Sequence, residues 1–441
     1  MQSVPEKPRP ASLRSKRWEW GLCLVLLTAT MLNYANRQVL PISATRMMQE
    51  LGLSNEEYGK IEAVFGLAFG TGALVGGCIA DWIKIRWLYP SLMILWSMAG
   101  LMTGQANTFA AIWSCRLCLG LFEAGHWPCA LRTTQRVFAP SRRPLANSIL
   151  QSGAPLGAIL PSLLMLIAVT DQEGSWRKIF WMVGILGLPW AIGWLLLVRT
   201  QDLQHPVLQT NESTSSGSAP IHEIPFHRIL VSRRFWILIA VILCINTCWH
   251  YIRVWMPLAL ENNLGYSSEE VQQVMIGYWI STFMGSLFSG FLLNYLVGQG
   301  YSIHRARLTG FTGFSLLTSL AAVAAFLSPG LLFICLMLVI GFASLGLFPI
   351  YYSLNQELSA KNQGKVGGSL GFTTWVVLYF FHPWIGQIMD HNPSLRPYIF
   401  ASVGLLPLVA SLLLVFLWNR SETRQPISST VGTSVCLSGR E

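Results

Sequence analysis

Four charged side chains and three histidines stand inside long apolar runs of this sequence: Arg37, Arg116, Glu123 and Arg253, with His126, His250 and His382. An ionisable group near the centre of a bilayer costs at least about 2.5–3.5 kcal/mol, so such residues are retained for a task or a partner. Arg116 and Glu123 are seven residues apart. On a helix that spacing gives them one face, about 10 Å apart along the axis. They do not pair directly at that separation, but both can face one cavity. The guanidinium of Arg37 never loses its charge and forks onto a carboxylate, which suits it to an anionic ligand. Glu123 is the natural proton carrier. A buried carboxylate without a counter-charge prefers its neutral form, and neighbouring arginines favour the ionised one. An anion that occupied those arginines would therefore promote protonation of Glu123. A closed Arg–Glu network that only locks two helices together is the alternative.

The flanking residues extend both possibilities. His126, one turn beyond Glu123, can join a proton path or stand neutral with a single hydrogen bond. Trp249, His250 and Tyr251 offer an aromatic wall with polar handles, and Tyr351, Tyr352 and Asn355 offer another. Arg253 is either a second anion hook or a side chain snorkelling to the interface. Cys115 and Cys118 have C-x-x-C spacing in mid-run without a βαβ context, and read as small packing residues. Eight of the nine cysteines lie in apolar runs, so no disulfide framework is expected. No nucleophile–base pair or metal-ligand cluster stands out, so neither an enzyme nor a cofactor or metal is expected.

The elements that must position these residues are membrane spans. Hydrophobic residues make up 52 % of the chain and charged residues 11 %, about half the charged share of soluble domains. Twelve runs approach the roughly 20 residues needed to cross a bilayer: 18–41, 58–80, 88–106, 109–131, 145–169, 176–198, 235–260, 271–296, 306–327, 330–357, 366–388 and 396–418. The expected fold is an all-α polytopic membrane protein with twelve transmembrane helices in two pseudo-symmetric six-helix halves. The first run is too long for a signal h-region and has no small-residue cleavage site, so it reads as an uncleaved span.

Two internal echoes support the halves. Leu51-Gly52-Leu53-Ser54-Asn55-Glu56-Glu57 returns 213 residues later as Leu264-Gly265-Tyr266-Ser267-Ser268-Glu269-Glu270, and the same offset relates Gly72 to Gly285, Gly77 to Gly290 and Asp81 to Asn294. Ser54 with Glu57, and Ser267 with Glu270, have the spacing of capping boxes that would open spans two and eight. Behind them run small residues at every fourth position: Ala68, Gly72, Gly76 and Ala80, then Ser281, Gly285 and Ser289. Such rows allow close helix approach, either as sliding seams between rocking units or as static packing. An offset of 221 relates Gly120, Gly125 and Pro128 to Gly341, Gly346 and Pro349, with both prolines expected to kink a helix, and sets Ser344 opposite Glu123. Only the first half carries the acid. Two parallel repeats in a membrane chain point to transport, with the substrate site between them.

The net charge of +10 reports topology. With both termini cytoplasmic, 22 of the 30 lysines and arginines fall on the cytoplasmic side, the positive-inside pattern, and no nucleic-acid partner is implied. The expected organisation is a cytoplasmic tail at 1–17, a first six-helix half at 18–198, a cytoplasmic linker at 199–234, a second half at 235–418 and a cytoplasmic tail at 419–441. The linker contains a polar tract at 209–218. Its Asn211-Glu212-Ser213 sequon would face the cytoplasm and go unused.

Leu32-Asn33-Tyr34-Ala35-Asn36-Arg37-Gln38-Val39-Leu40 and Arg116-Leu117-Cys118-Leu119-Gly120-Leu121-Phe122-Glu123-Ala124-Gly125-His126-Trp127-Pro128 resemble the N-Y-x-D-R and R-x-x-x-G-x-x-E-A-x-x-x-P segments of the anion:cation symporter family of the major facilitator superfamily. The resemblance runs from span one to span twelve. It implies proton symport of hexuronates or related sugar acids, with Tyr34 and Arg37 holding the substrate carboxylate and Arg116 and Glu123 coupling the proton. Three departures stand out. The family's span-one aspartate is Asn36 here, which removes one of two proton-linked carboxylates. The loop after span two keeps only Gly77, Asp81 and Arg86 of its usual pattern. Pro155 stands where a polar span-five residue is common.

The expected function is import of a small organic anion with a proton by alternating access. The substrate-binding candidates are Tyr34, Arg37, Arg116, Trp249, His250, Tyr251, Tyr351 and Asn355. The proton-coupling candidates are Glu123, Arg116, His126 and Asn36. A monomer in the plasma (inner) membrane is expected, in contact with lipid. Two rivals are an uncoupled organic-anion facilitator and an efflux antiporter of amphipathic compounds, the latter suggested by Gly153-Ala154-Pro155-Leu156-Gly157. A ligand sensor would need a large cytoplasmic domain, and only a linker and tails are present.

Overall fold

A computed structural model describes residues 15–139, 142–170, 172–203, 226–358 and 363–418, without the side chains of 75–82, 144 and 363–364. The two tails, the linker sequon and the Asp81 side chain lie outside the described residues. The described residues are helical, with no strand among them. The helices are α1 (Lys16–Leu51), α2 (Asn55–Trp82), α3 (Ile85–Thr103), α4 (Phe109–Glu123), α5 (His126–Val137), α6 (Arg143–Ala168), α7 (Arg177–Ile185), α8 (Gly187–Leu197), α9 (Phe226–Val231), α10 (Arg233–Asn262), α11 (Ser268–Gly298), α12 (Ile303–Thr318), α13 (Ala321–Ala324), α14 (Leu331–Gln356), α15 (Gln363–His391) and α16 (Arg396–Leu417). All twelve expected spans are present. Three of them, α4 with α5, α7 with α8 and α12 with α13, are interrupted by a turn.

Local chemistry explains where the helices begin. Ser15, Thr108, Ser232 and Ser302 each accept a backbone N–H of the following first turn, satisfying donors the helix cannot. Both expected capping boxes form. Ser54 and Glu57 exchange bonds of 3.0 and 3.1 Å, and Ser267 and Glu270 bonds of 2.8 and 3.3 Å. Side chains such as Ile167, Leu196, Phe291, Leu331 and Phe416 are more than 70 % exposed. In water such a surface would aggregate, whereas it matches hydrocarbon in a bilayer.

The repeat is visible in the packing. In the first half α2 lies on α4 and α3 on α7 and α8. In the second half α11 lies on α14, and α12 and α13 on α16. Of the small-residue rows, Gly72 and Gly285 belong to these internal seams, and Gly76 and Ala80 lie outside the described side chains. A Cβ at Gly72 would meet Leu121 O of α4 at 2.9 Å, and one at Gly285 would meet Phe342 O of α14 at 1.8 Å. They are contacts inside each half, so the static alternative holds for them.

The halves meet where α2 packs on α15, α6 on α11 and α1 on α10. The hydrogen bonds that join them cluster at the end of the bundle where α1 finishes and α2 begins, here called the far end. The carboxylate of Asp390 accepts from the backbone N–H of Asn55 at 3.0 Å and of Glu56 at 2.9 Å. Tyr58 donates to Val254 O at 3.0 Å. The backbones touch here: a Cβ at Gly386 would lie 2.2 Å from Asn55 O, and one at Gly59 2.4 Å from His382 O. Gly386→Leu is therefore expected to prevent this closure. A cysteine placed at Met389, buried beside this seam, should then react severalfold faster with a membrane-impermeant thiol reagent. An unchanged rate would mean that the seam repacks around a side chain.

Candidate functional site

Arg37 stands in α1 four residues before Pro41. Proline has no N–H to give the Arg37 carbonyl and crowds it, so the helix is locally weakened where the guanidinium leaves it. The same arrangement recurs in the second half, where Arg253 stands in α10 four residues before Pro257. Each half thus places one arginine a turn ahead of a proline in its first span.

Both arginines are buried and each is paired. Arg37 Nε donates to Glu123 Oε2 at 2.9 Å, joining α1 to the end of α4. Glu123 is fully buried at a break: α4 stops there, Ala124 and Gly125 form a turn, and α5 restarts at His126. Pro128, which cannot donate to Ala124 O, accounts for the break. Its counterpart Pro349 stands inside a helix that continues unbroken. Arg253 Nη2 donates to Glu62 Oε2 of α2 at 3.0 Å, and this pair bridges the two halves. Arg253 is thus neither a free hook nor a snorkelling side chain.

Arg116 lies between the two pairs. It is 1 % exposed and interacts electrostatically with Glu62, Glu123, Tyr58 and Arg253. Its Nε and Nη2 have no hydrogen-bond partner, nor do Arg37 Nη2, Arg253 Nε and Nη1, Glu62 Oε1, Glu123 Oε1 and His250 Nδ1. Among the described residues, three buried arginines face two buried carboxylates. The cluster carries surplus positive charge and free donors, the requirement for holding an anion.

An aromatic collar surrounds Arg37. The guanidinium carbon lies 4.2 Å from the Phe69 ring centre, 5.0 Å from that of Tyr34 and 5.5 Å from that of Phe65, distances at which ring faces attract a cation. From the second half Trp375 of α15 packs on Phe65, Phe69 and His250, with ring centres 6.4, 5.5 and 4.8 Å away. Gly66 and Gly70 leave the space it fills. Tyr352 of α14 comes near Tyr34 across the halves.

The remaining sequence candidates separate. Of Trp249, His250 and Tyr251, only His250 turns toward the centre. Trp249 packs on Tyr278, Trp279 and Phe348, and Tyr251 stacks on Phe400 of α16. Consecutive helical residues diverge by about 100°, so they do not form one wall. Tyr351 is buried in the apolar core around Ile350 and Leu354, and Asn355 is buried with Oδ1 unpartnered. His126 is bonded on both nitrogens, to Thr30 Oγ1 at 3.1 Å and Tyr89 Oη at 2.8 Å, which ties α1, α3 and α5 together. Asn36 donates to Leu32 O at 3.0 Å and sits against Gly100 of α3. Glu62 and Trp375 were missed by sequence reasoning. Glu62 lies within the second apolar run, and the test that singled out Glu123 would have found it. Nothing in the sequence marks Trp375.

A bundle of twelve spans in two repeated halves, with charged groups buried where the halves meet, is the architecture of a multi-pass membrane transporter. Residues 26–383 match the profile of the Major Facilitator Superfamily, and the chain belongs to that superfamily of transporters, not to an enzyme family. Curated relatives include the hexuronate transporter of Escherichia coli (strain K12), 22 % identical over 90 % of this chain and 91 % of that protein. A probable L-galactonate transporter of the same strain is 24 % identical over 95 % and 92 %. A probable galactarate/D-glucarate transporter of Bacillus subtilis (strain 168) is 23 % identical over 90 % and 91 %. Among solved structures, the inward-open xylose transporter XylE from E. coli superposes with a TM-score of 0.70 at 14 % identity, covering 92 % of this chain and 98 % of that one. An inward-facing bacterial homologue of the lysosomal transporter Spinster gives 0.68 at 17 %, covering 91 % and 96 %. At these identities the structural likeness concerns the fold.

Proposed function

We propose that this protein imports a small sugar-acid anion, a hexuronate or a close relative, together with a proton. The observation that carries the reading is the buried Arg37–Glu123 pair with the unpartnered donors of Arg37 and Arg116 beside it. The names of the curated relatives supply the sugar-acid class. The substrate carboxylate binds Arg37, with Tyr34, Phe69 and Trp375 flanking the sugar and His250 and Asn355 reaching it from the second half. The anion takes the unpartnered Nη2 edge of Arg37, its charge weakens the hold of the guanidinium on Glu123, and Glu123 takes up a proton while staying beside it. The moving units are 18–198 and 235–418, joined by 199–234, with both termini cytoplasmic in the plasma (inner) membrane. The far end then faces outward, and the closure seen there is that of an inward-facing state. The protein acts as a monomer.

Uptake into proteoliposomes tests this, with glucuronate, galacturonate, galactonate and an aromatic carboxylate offered with and without an inward proton gradient. Accumulation of a sugar acid that a protonophore abolishes is the expected result. Asn36 favours a second reading, an uncoupled facilitator, whose signature is equilibration indifferent to the gradient. Failure to move any acid would overturn both.

A further inference from the structure

We propose that Glu62 is a second proton-exchanging carboxylate, and that losing its bond to Arg253 is the step at which a proton enters from the far side. The proposal rests on the proton-coupled reading above and adds a residue and a gate to it.

Glu62 and Glu123 are the only buried carboxylates among the described residues, at 3 % and 0 % exposure. Glu123 is held within its own half, whereas Glu62 is held by the other half. The difference decides what a rocking motion does to each. Opening the far end must part α2 from α10 and α15, and with them Glu62 from Arg253, while the Arg37–Glu123 pair can ride along intact. Glu62 stands seven residues into α2, about 10 Å from its start. Its neighbours there are contacts of closure: Tyr58 on Val254 O, and Gly59 against the His382 backbone.

Separating a buried ion pair is costly, because each charge is left uncompensated until it is hydrated or neutralised. Parting Glu62 from Arg253 would meet that cost unless the carboxylate is neutralised. A proton from water at the opened far end does so, forming the O–H bond on Glu62. Re-formation of the pair returns that proton to water as the end closes. The charged and titratable groups that interact with Glu62 are Arg253 from α10, Arg116 from α4 and Tyr58 of its own helix, while His250 from α10 and His382 from α15 face its partner Arg253. Arg116 interacts electrostatically with both Glu62 and Glu123, so an anion drawing on Arg116 alters the charge balance of both acids. Two carboxylates share one guanidinium, one beside the Arg37 site and one at the seam.

The test needs no substrate. Spin labels on cysteines at Glu173 and Ser394, both exposed at the far end on opposite halves, report its opening in the full chain in nanodiscs, in a background freed of native cysteines. Between about pH 7.5 and pH 5.5 the long-distance population of the wild type should rise about fivefold or more. Glu62→Gln should show the long distance at both pH values. Glu123→Gln should still show a rise of the long-distance population on acidification, with its midpoint displaced through the shared Arg116. The double variant Glu62→Gln with Arg253→Gln leaves no lone charge and guards against simple misfolding; its distances should be insensitive to pH. A wild type that does not respond, or a full response in either Glu62 variant, would overturn the proposal and, in the latter case, assign the response to Glu123, His250 or His382. If the Glu62-dependent response appears while no sugar acid is transported, the gate stands and the substrate assignment falls.

Discussion

Arg37→Lys is expected to weaken sugar-acid binding by roughly 100-fold, about 3 kcal/mol, the upper range for a hydrogen bond to a charged group. The geometry makes the arginine hard to replace. Nε is committed to Glu123 at 2.9 Å while Nη2 is buried without a partner, so the flat fork can serve the acid and a ligand from different edges. A lysine ammonium is a single point on a flexible stem and cannot face both with fixed geometry. It keeps the charge, and with it much of the attraction to the Phe69 and Tyr34 rings. The substitution therefore isolates the value of the fork. Titration calorimetry on the purified variant, with whichever acid the uptake screen identifies, gives the answer. Near-normal affinity would move the anion to Arg116, whose Nε and Nη2 are also unpartnered.

Charge inside an apolar run was the most legible signal in the chain, and it pointed to Arg37, Arg116, Glu123 and Arg253, all of which are buried. The capping boxes and the repeat placed the spans, because both depend on local spacing that the sequence displays directly. Pairing was less accessible. Arg116 and Glu123 share a helix and drew attention as a couple, yet Glu123 bonds to Arg37 of another helix, a choice made by tertiary approach. Glu62 meets the same criterion, being a charge inside the second apolar run, although it stands only five residues after Glu57, which caps that helix. Helix rotation explains the misplaced aromatic wall: the sequence places Trp249, His250 and Tyr251 side by side, but each turns to a different neighbour. Trp375 acquires its place only through Gly66 and Gly70 on a helix some 300 residues earlier in the chain, and single-sequence spacing cannot express that relation.

Glu123→Gln should leave exchange of labelled for unlabelled substrate within about twofold of wild type while abolishing accumulation against a gradient. For one proton moved with one monovalent anion, each pH unit is worth about 1.36 kcal/mol, or tenfold accumulation, and the variant's ratio should fall to about 1. The amide is nearly isosteric with a protonated carboxyl. It can still face Arg37 but cannot hold it by charge, so the guanidinium remains available to the anion. It also has no proton to release when the substrate departs. The exchange assay requires only the loaded carrier to reorient, and the neutral side chain resembles the loaded carrier's Glu123. Net accumulation requires the empty carrier to return with Glu123 ionised, in the pairing with Arg37 whose geometry the structure shows. Loss of exchange along with accumulation would make the Arg37–Glu123 pair a structural tie between α1 and α4. Accumulation that persists at half the wild-type thermodynamic ceiling on a logarithmic scale would instead indicate that a second group carries its own proton through the cycle.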